Sequence, residues 1–200
     1  MKKGGAVDIE RLRSDVQWAL EKGLGPRDLV PMLERLRQHA PRGSAAACFA
    51  GTELAEVLLS ISPWRSAVLA REVLSHEETD RGWAVLGLGL ALLGHYRSAK
   101  RAFSKALVLA PKCSSYAHNL GHLLDVGLGR SEEALRWLAQ AHHARPNDDE
   151  IAASYAHALV RVGRPDDARR ALERALGKAS DAIAPLLDRW ASEAIVATRG

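Results

Sequence analysis

The chain has 200 residues, of which 47% are hydrophobic and 5% aromatic, and it carries a formal net charge of +4. This is enough apolar material for a sizeable buried core, whereas so small a positive charge is by itself no argument for a nucleic-acid partner. The longest apolar run, residues 83–93, has about half of the roughly 20 residues that a membrane-spanning helix needs, so we expect no such helix.

Two helical hairpins are predicted in the first part of the chain, over residues 7–41 and 44–78. In each, apolar residues recur at steps of three and four, which is the spacing of an amphipathic helix. In the first hairpin these residues are Ile9, Leu12, Val16 and Leu20, followed by Leu29, Leu33 and Leu36. Residues 23–26, Gly-Leu-Gly-Pro, and the dipeptide Ser62-Pro63 mark the two turns.

The third hairpin, residues 80–113, has the clearest pattern. Each of its helices carries one apolar face, formed by Trp83, Leu86 and Leu90 and by Ala99, Phe103 and Ala106. Gly94 lies in the turn between them, and Pro111 ends the second helix. Because Gly87 and Ala99 are the smallest residues on the facing sides, we expect the two backbones to approach closely there.

A more specific signature within this hairpin is formed by Trp83-x-x-Leu86-Gly87, Tyr96, Ala99-x-x-x-Phe103 and Pro111. This signature resembles the tetratricopeptide repeat, whose period is about 34 residues. Two further units, residues 114–147 and 149–180, follow with the same order of residues. The alanines at the close-packing position, Ala99, Ala134 and Ala168, are separated by 35 and then 34 residues. The extra residue of the fourth hairpin is assigned to its turn, Gly127-Leu128-Gly129.

The resemblance implies an all-α fold, a right-handed α-solenoid of about five tetratricopeptide-like hairpins with a C-terminal capping helix. The predicted hairpins are residues 7–41, 44–78, 80–113, 114–147 and 149–180, and the predicted cap is residues 181–198. All of them are expected to form one superhelical domain over residues 1–200. For residues 7–41 two interpretations stay open, a degenerate first repeat and a specialised N-terminal cap.

In this family the first helices of successive repeats line a concave groove, which usually holds an extended peptide or a helix of a partner protein. The resemblance therefore predicts a protein–protein interaction adaptor whose groove has an apolar and a polar part. The apolar part is predicted to contain Arg81, Ala84, Leu88 and Ala91. The polar part is predicted to contain Ser115, His118, Asn119, His122, Asp125, His157 and Arg161. Leu88 is expected to contact an apolar anchor, and the histidines and Asn119 are expected to hydrogen-bond the partner.

The same architecture has three other functional interpretations. A relative that clamps a C-terminal carboxylate uses lysines, asparagines and an arginine, of which only Asn119 is matched here, so that ligand is not expected. A second alternative is a chaperone of the kind found in type III secretion systems, which holds a segment of an exported protein. The third is nucleic-acid binding through basic rows on the second helices, Arg97, Lys100, Arg101 and Lys105 together with Arg164, Arg169, Arg170 and Arg174. Self-association through the N-terminal end is a further expectation, because an incompletely covered first repeat leaves apolar surface.

No metal, cofactor or catalytic site is predicted. His118, His122 and Asp125, with His157 on the next helix, have ligand types and spacings that could hold zinc. Hydrogen bonding to a peptide or to neighbouring side chains is the preferred interpretation of these residues. The run from His76 to Asp80 lacks the second histidine of a zinc-protease motif, and the chain has no Gly-x-Ser-x-Gly elbow. The sequence thus predicts a protein that is not an enzyme.

Two further features concern the compartment. Met1-Lys2-Lys3 is followed by glycines, not by an apolar stretch, so no signal peptide is expected. Cys48 and Cys113 lie far apart, without the paired spacing of a zinc site or a redox dithiol, and both are expected to be reduced packing residues. The predicted location is cytoplasmic.

Overall fold

The computed structural model describes residues 7–176 and 183–197, so predictions for residues 1–6, 177–182 and 198–200 lie outside the described residues. Those ranges contain helices and no strand. The helices are α1 Ile9–Glu21, α2 Pro26–His39, α3 Ala45–Val57, α4 Pro63–Leu74, α5 Asp80–Leu92, α6 Tyr96–Leu109, α7 Ser114–His122, α8 Ser131–Ala144, α9 Asp149–Arg161, α10 Pro165–Leu176 and α11 Ile183–Ala197. A π-helical turn, Leu123–Gly127, directly follows α7. In chain order, consecutive helices pack as the pairs α1 with α2, α3 with α4, α7 with α8 and α9 with α10, and α11 stands where the cap was predicted.

Contacts between Cα atoms divide the chain into two compact units, and the division falls inside α6, between Ala102 and Phe103. The described part of unit 1 contains α1 to α5 and the start of α6. Unit 2 contains the rest of α6 and everything from α7 to α11. The single domain over residues 1–200 stays a prediction.

The helices α1 to α5 each begin at a residue that favours the N-terminus of a helix. The side chains of Asp8, Ser44 and Thr79 accept hydrogen bonds from the backbone N–H three residues later, which caps α1, α3 and α5. Proline occupies the first turn of α2 and of α4, where it has no N–H to leave unsatisfied. The core of this unit is mainly aliphatic and includes Val16, Ala19, Leu29, Leu33, Leu36, Leu54, Leu58 and Ala70.

Small residues set the helix spacing in unit 1. A Cβ atom built on Gly51 of α3 would lie 2.5 Å from Val73 Cγ2 of α4, so no larger residue fits without a shift. One built on Gly89 of α5 would lie 3.3 Å from the backbone of α4 at Ala67. Gly87 and Ala99, the predicted close-packing pair, are both buried.

Small residues also set the spacing of helices in unit 2. A Cβ atom on Gly121 of α7 would lie 2.6 Å from Cγ of Leu138 on α8, and both Leu138 and Ala134 have no exposed surface. At the C-terminal end, an apolar cluster joins α9, α10 and α11. Its buried members are Ala156, Leu159, Val160, Ala168, Leu172, Ile183 and Leu187. The helix α11 thus covers the apolar side of the last hairpin in this unit, as a capping helix does.

The extra residue of the fourth hairpin lies in the first helix, not in the turn that follows it. At the ends of α1, α5 and α9, a backbone N–H donates a hydrogen bond to the carbonyl oxygen five residues earlier. These bonds run from Leu24 to Ala19, from His95 to Leu90 and from Arg164 to Leu159. After α7, the corresponding bond spans six residues, from Arg130 N to Leu124 O. The π-helical turn, with its bond from Leu128 N to Leu123 O, absorbs the difference. This local change in winding moves Asp125 relative to a regular helix.

Candidate functional site

A hydrogen-bonded group of side chains crosses from α7 to α9 in unit 2. Nε2 of His118 lies 2.9 Å from Oγ of Ser154, and the same oxygen lies 3.3 Å from Nδ1 of His122. The two imidazole rings are 6.0 Å apart, because they are one helical turn from each other on α7. A serine hydroxyl can donate to one nitrogen and accept from the other, so Ser154 bridges both histidines.

Ser154 was not among the predicted site residues, although the sequence carried a signal for it. On α9 it falls at steps of four and three from Glu150 and His157, and so it belongs to the same helical stripe. Together, His118, His122, Ser154 and His157 are called the histidine surface below.

The histidine surface is accessible. His122 is exposed, and His118, Asn119 and Ser154 are partly exposed. The carboxamide of Asn119 makes no hydrogen bond with any other residue that the structure describes, which leaves its donors and acceptor available. Ser115, at the start of α7, is exposed and accepts a hydrogen bond from Nη1 of Arg145 at 3.3 Å.

Asp125 lies beneath this surface. Its side chain is 2% exposed, and its carboxylate accepts a hydrogen bond from Ser131 Oγ at 2.6 Å and contacts His157 Nδ1 at 2.5 Å. Arg161 adds a hydrogen bond to the backbone oxygen of Asp125 at 3.3 Å. Burial would raise the pKa of this carboxyl, but the hydrogen bonds from His157 and Ser131 outweigh burial and hold the pKa below its usual range. A buried carboxylate with this many partners positions its neighbours and is not itself reachable by a ligand.

His157 is held on two sides. Its Nδ1 faces Asp125, and its ring meets the ring of Trp190 on α11 edge-on, with 5.3 Å between the centroids. Because Asp125 fixes one nitrogen, Nε2 is the atom of His157 that can serve a ligand. The capping helix therefore helps to orient a predicted site residue.

His118 differs from an exposed histidine in its protonation. Burial lowers its pKa below the ordinary value of 6.5, and the nearby His122 and Arg145 act in the same direction. The carboxylates of Glu150 and Asp148 oppose this effect without cancelling it. At neutral pH His118 is therefore uncharged, with one nitrogen that donates and one that accepts.

The zinc interpretation of His118, His122, Asp125 and His157 is not supported by the geometry of the described residues. Within residues 7–176 and 183–197, no group of three or more His, Cys, Asp or Glu side chains has the geometry to hold a metal ion. Asp125, which the sequence pattern placed on one stripe with His118 and His122, is already bound to Ser131 and His157.

The predicted apolar part lies on α5 in unit 1. Leu88 and Ala91 are partly exposed, whereas Ala84 is 5% exposed and belongs to the core. Of the apolar residues predicted for this part, Leu88 and Ala91 are thus the two that a ligand can reach.

Arg81, at the start of α5, is fully engaged by two carboxylates of α3. Its guanidinium forms two hydrogen bonds with Glu53, at 2.5 and 2.9 Å, and its Nε donates to Glu56 at 2.9 Å. The hydrogen bonds with Glu53 contribute most to raising the pKa of Arg81, with burial opposing them. Glu53 is 8% exposed, so this ion pair ties the first helices of two successive hairpins together. The sequence pattern missed it because these residues are 28 positions apart.

The basic rows predicted on the second helices are partly neutralised. Arg164, just before α10, and Arg170 within it both pair with the carboxylate of Asp167, and the hydrogen bond from Arg164 holds the pKa of that carboxyl below its usual range. Arg97, Arg101 and Lys105 on α6 are exposed.

Residues 126–187, from the π-helical turn into α11, match the family model of the tetratricopeptide repeat. This part of the chain belongs to the tetratricopeptide repeat family. The resemblance predicted from the third hairpin is confirmed, and the family supports a protein–protein interaction scaffold. Scaffolds of this family are typically not enzymes.

One curated relative is protein FlbA of Caulobacter vibrioides, which is 33% identical to this repeat protein over 110 residues. The match includes 54% of the chain but 18% of the relative, so the chain spans less than a fifth of the length of the curated protein that it resembles.

The solved structures that this repeat protein resembles include two of the protein MamA. MamA of Desulfovibrio magneticus RS-1, from residue 41 to its end, superposes with a TM-score of 0.72 at 16% identity, over 86% of this chain and 96% of that one. MamA of strain AMB-1 superposes with a TM-score of 0.64 at 22% identity, over 88% and 96%. These likenesses concern the fold, and they confirm the predicted all-α, tetratricopeptide-like class. No helix among the described residues of this repeat protein is long and apolar enough to cross a membrane.

Proposed function

We propose that this protein is an adaptor that binds a peptide or helical segment of a partner protein through the exposed sides of its first helices, the sides that line the concave groove in its family. The observation that carries the proposal is the histidine surface. Its polar side chains are aligned by hydrogen bonds among themselves and remain accessible from outside. Such preorganisation lowers the entropy that binding must overcome.

The residues divide into contact and positioning roles. His118, Asn119, His122, Ser115 and the free nitrogen of His157 hydrogen-bond the partner segment. In unit 1, Leu88 and Ala91 form an apolar contact of their own.

A second set supports these contacts from behind. Asp125 and Arg161 orient His157, and Arg81 fixes the start of α5 through Glu53 and Glu56. This assignment changes the predicted role of Asp125, Arg161 and Arg81 from partner contact to support of the contact residues.

The test is a pull-down from the source cell with the full chain, read by mass spectrometry, with Leu88→Glu and His122→Ala as separate variants. Matched controls are Val108→Glu, an exposed aliphatic residue on the second helix α6, and His143→Ala, an exposed histidine on α8. Partners lost from a test variant and retained by its control support the proposal. Retention by both test variants, with the fold intact by circular dichroism, would contradict it, and recovery that disappears after nuclease treatment would favour the basic second helices.

Two parts of the proposal have separate tests. A cytoplasmic location is checked by fractionation of the source cell. Self-association through the N-terminal end draws on the side chain of Trp18, which is 57% exposed on α1. Sedimentation of the wild-type chain beside Trp18→Ser measures it, since a dimer that depends on Trp18 dissociates in the variant.

A further inference from the structure

A second surface of unit 1 has the features of a binding site and involves none of the first-helix contacts above. It lies where α2 and α4 run beside each other over α3, and two ion pairs join these helices. Arg37 Nη2 is 2.7 Å from Glu72, and Arg65 Nη2 is 3.1 Å from Glu34. Two depressions, of about 360 and 190 Å³, meet at the pair of Arg37 and Glu72. This surface is called the α2–α4 seam.

One end of the seam is apolar and open. Leu54 of α3 and Leu58, the residue that follows this helix, form its floor, and Leu69 lines one side. Trp64 is 65% exposed and Val68 is 48% exposed, and they are neighbours one helical turn apart on α4. Tryptophan on a surface is characteristic of interaction sites, because it provides a large rigid contact area.

The other end of the seam carries two nitrogen-bearing side chains without partners. Arg42 and His76 line the smaller depression, and the side chain of neither makes a hydrogen bond or an ion pair with any residue in the described ranges. Glu34 and Glu72, the carboxylates that line the seam, are both already paired with arginines. Cys48 also lines this depression, but burial, with Glu77 nearby, raises the pKa of its thiol, so it is not a nucleophile at neutral pH.

The seam also has a defined length. Trp64 and His76 are twelve positions apart along α4 and its C-terminal end. At about 1.5 Å per helical residue this is roughly 18 Å, which an extended peptide spans in about five or six residues.

We propose that the α2–α4 seam is a second docking surface, which binds a segment of a partner protein with a large apolar side chain at Trp64 and Val68 and an Asp or Glu side chain at Arg42 and His76. The charge of the two ends selects this chemistry. A basic segment would meet the unpaired guanidinium of Arg42, and a purely apolar one would leave it without a counter-ion. None of its lining residues is among the proposed first-helix contacts, so it does not depend on the proposed function of the first helices.

The experiment is a selection of random displayed peptides about 12 residues long on the full chain, a length that covers the seam twice. We expect enrichment of an apolar residue followed or preceded, five or six positions away, by Asp or Glu. A fluorescein-labelled, C-terminally amidated copy of the most enriched peptide is then titrated by anisotropy. The amide removes the terminal carboxylate, so binding that survives comes from the acidic side chain.

Matched variants locate the binding. Trp64→Ala, Val68→Glu and Arg42→Glu are each expected to weaken binding by about tenfold or more, as loss of an interface anchor does. Val108→Glu and Arg35→Glu, at an exposed valine and an exposed arginine outside the seam, are expected to leave it unchanged. Replacing the acidic residue of the peptide with Lys should restore binding to Arg42→Glu, which a merely destabilised variant would not do.

Three results would overturn the proposal. They are a selection without the paired apolar and acidic residues, an equal loss in the control variants, and a loss caused by Leu88→Glu. The last result would place the peptide on the first helix α5, and it would leave the proposed function standing while the seam fails.

Discussion

Oδ2 of Asp125 lies 2.5 Å from Nδ1 of His157, and these two residues belong to the first helical segments of successive hairpins. The aspartate comes from the π-helical turn after α7, and the histidine from the middle of α9. Because the carboxylate is buried and the imidazole reaches the surface, the contact passes from the interior of unit 2 to its candidate binding surface.

Asp125→Ala is expected to destabilise the protein by about 2–3 kcal/mol. The substitution leaves Ser131 and His157 without their acceptor in a buried position, and the value is below the usual range for a buried pair because His157 and Arg161 are partly exposed. Urea unfolding followed by circular dichroism measures the change. Asp167→Ala, which removes a partly exposed carboxylate between two arginines, serves as the control and should cost clearly less, because solvent screens its ion pairs. If both substitutions lowered the free energy of unfolding equally, the buried hydrogen bonds of Asp125 would stabilise the protein no more than the ion pairs of Asp167 do.

The contact between Asp125 and His157 also predicts how the stability of the protein changes at acidic pH. The pKa of Asp125 is lower in the folded chain than its ordinary value of 3.8, so its contribution is present above that value and is lost as the pH falls through the folded pKa. Below about pH 4 the wild type should therefore lose part of its advantage over Asp125→Asn, as measured by urea midpoints at a series of pH values. A constant difference between the two proteins down to pH 2 would contradict the lowered pKa.

His118 should act in a different pH window. Its folded pKa is lower than the unfolded value of 6.5, so the unfolded chain binds the proton more readily and stability falls as the pH decreases below about 6.5. His118→Gln should reduce this slope between pH 7 and pH 5, as measured by urea midpoints, and an unchanged slope would contradict the lowered pKa. His142, whose pKa is also lowered chiefly by burial, contributes to the same window and is kept in the variant.

Much of this architecture was predictable from local patterns. Alanine and glycine positions such as Ala99, Ala134 and Ala168 recur at the repeat period because close helix packing admits nothing larger, and so they mark the hairpins. The position of Asp125 was not predictable in this way. The stripe with His118 and His122 assumed a regular α-helix, and the π-helical turn breaks that assumption.

Other parts of the site depend on how separate helices pack. The hydrogen bond of Ser154 to His118 joins residues 36 positions apart, and the contact of Trp190 with His157 depends on where α11 packs. A serine or a tryptophan at such a position has many ordinary explanations, so the residue type alone does not indicate the partner. The stripe of α9 was a usable signal for Ser154, whereas α11 offered none for Trp190.

Ser154→Ala should weaken partner binding about as much as His122→Ala does. Removing the hydroxyl frees both imidazoles while costing roughly 0.5–1.5 kcal/mol of stability, the usual value of such a hydrogen bond. Because the two residues share one interaction, the double variant should bind with nearly the affinity of either single variant in a titration with the identified partner. Additive losses would mean that Ser154 and His122 contact the partner independently.

Gly121→Ala tests the close packing of α7 and α8. The added Cβ would lie 2.6 Å from Leu138 Cγ, so we expect a loss of about 1–3 kcal/mol in the free energy of unfolding. Gly25→Ala is the control, because nothing lies within 4 Å of its Cβ position and its φ of −74° suits alanine. A variant Gly121→Ala as stable as wild type would show that α7 and α8 can separate without penalty.

The π-helical turn also limits how freely this hairpin can be exchanged for another. Repeat proteins are often recombined by splicing units of equal length, and a 34-residue consensus unit would restore regular winding between Leu123 and Gly127. That exchange would rotate the acidic side chain away from α9 and leave His157 without its anchor. A modular chimera of this chain therefore has to keep the fourth and fifth hairpins together, because Asp125 of the fourth hairpin holds His157 of the fifth in place.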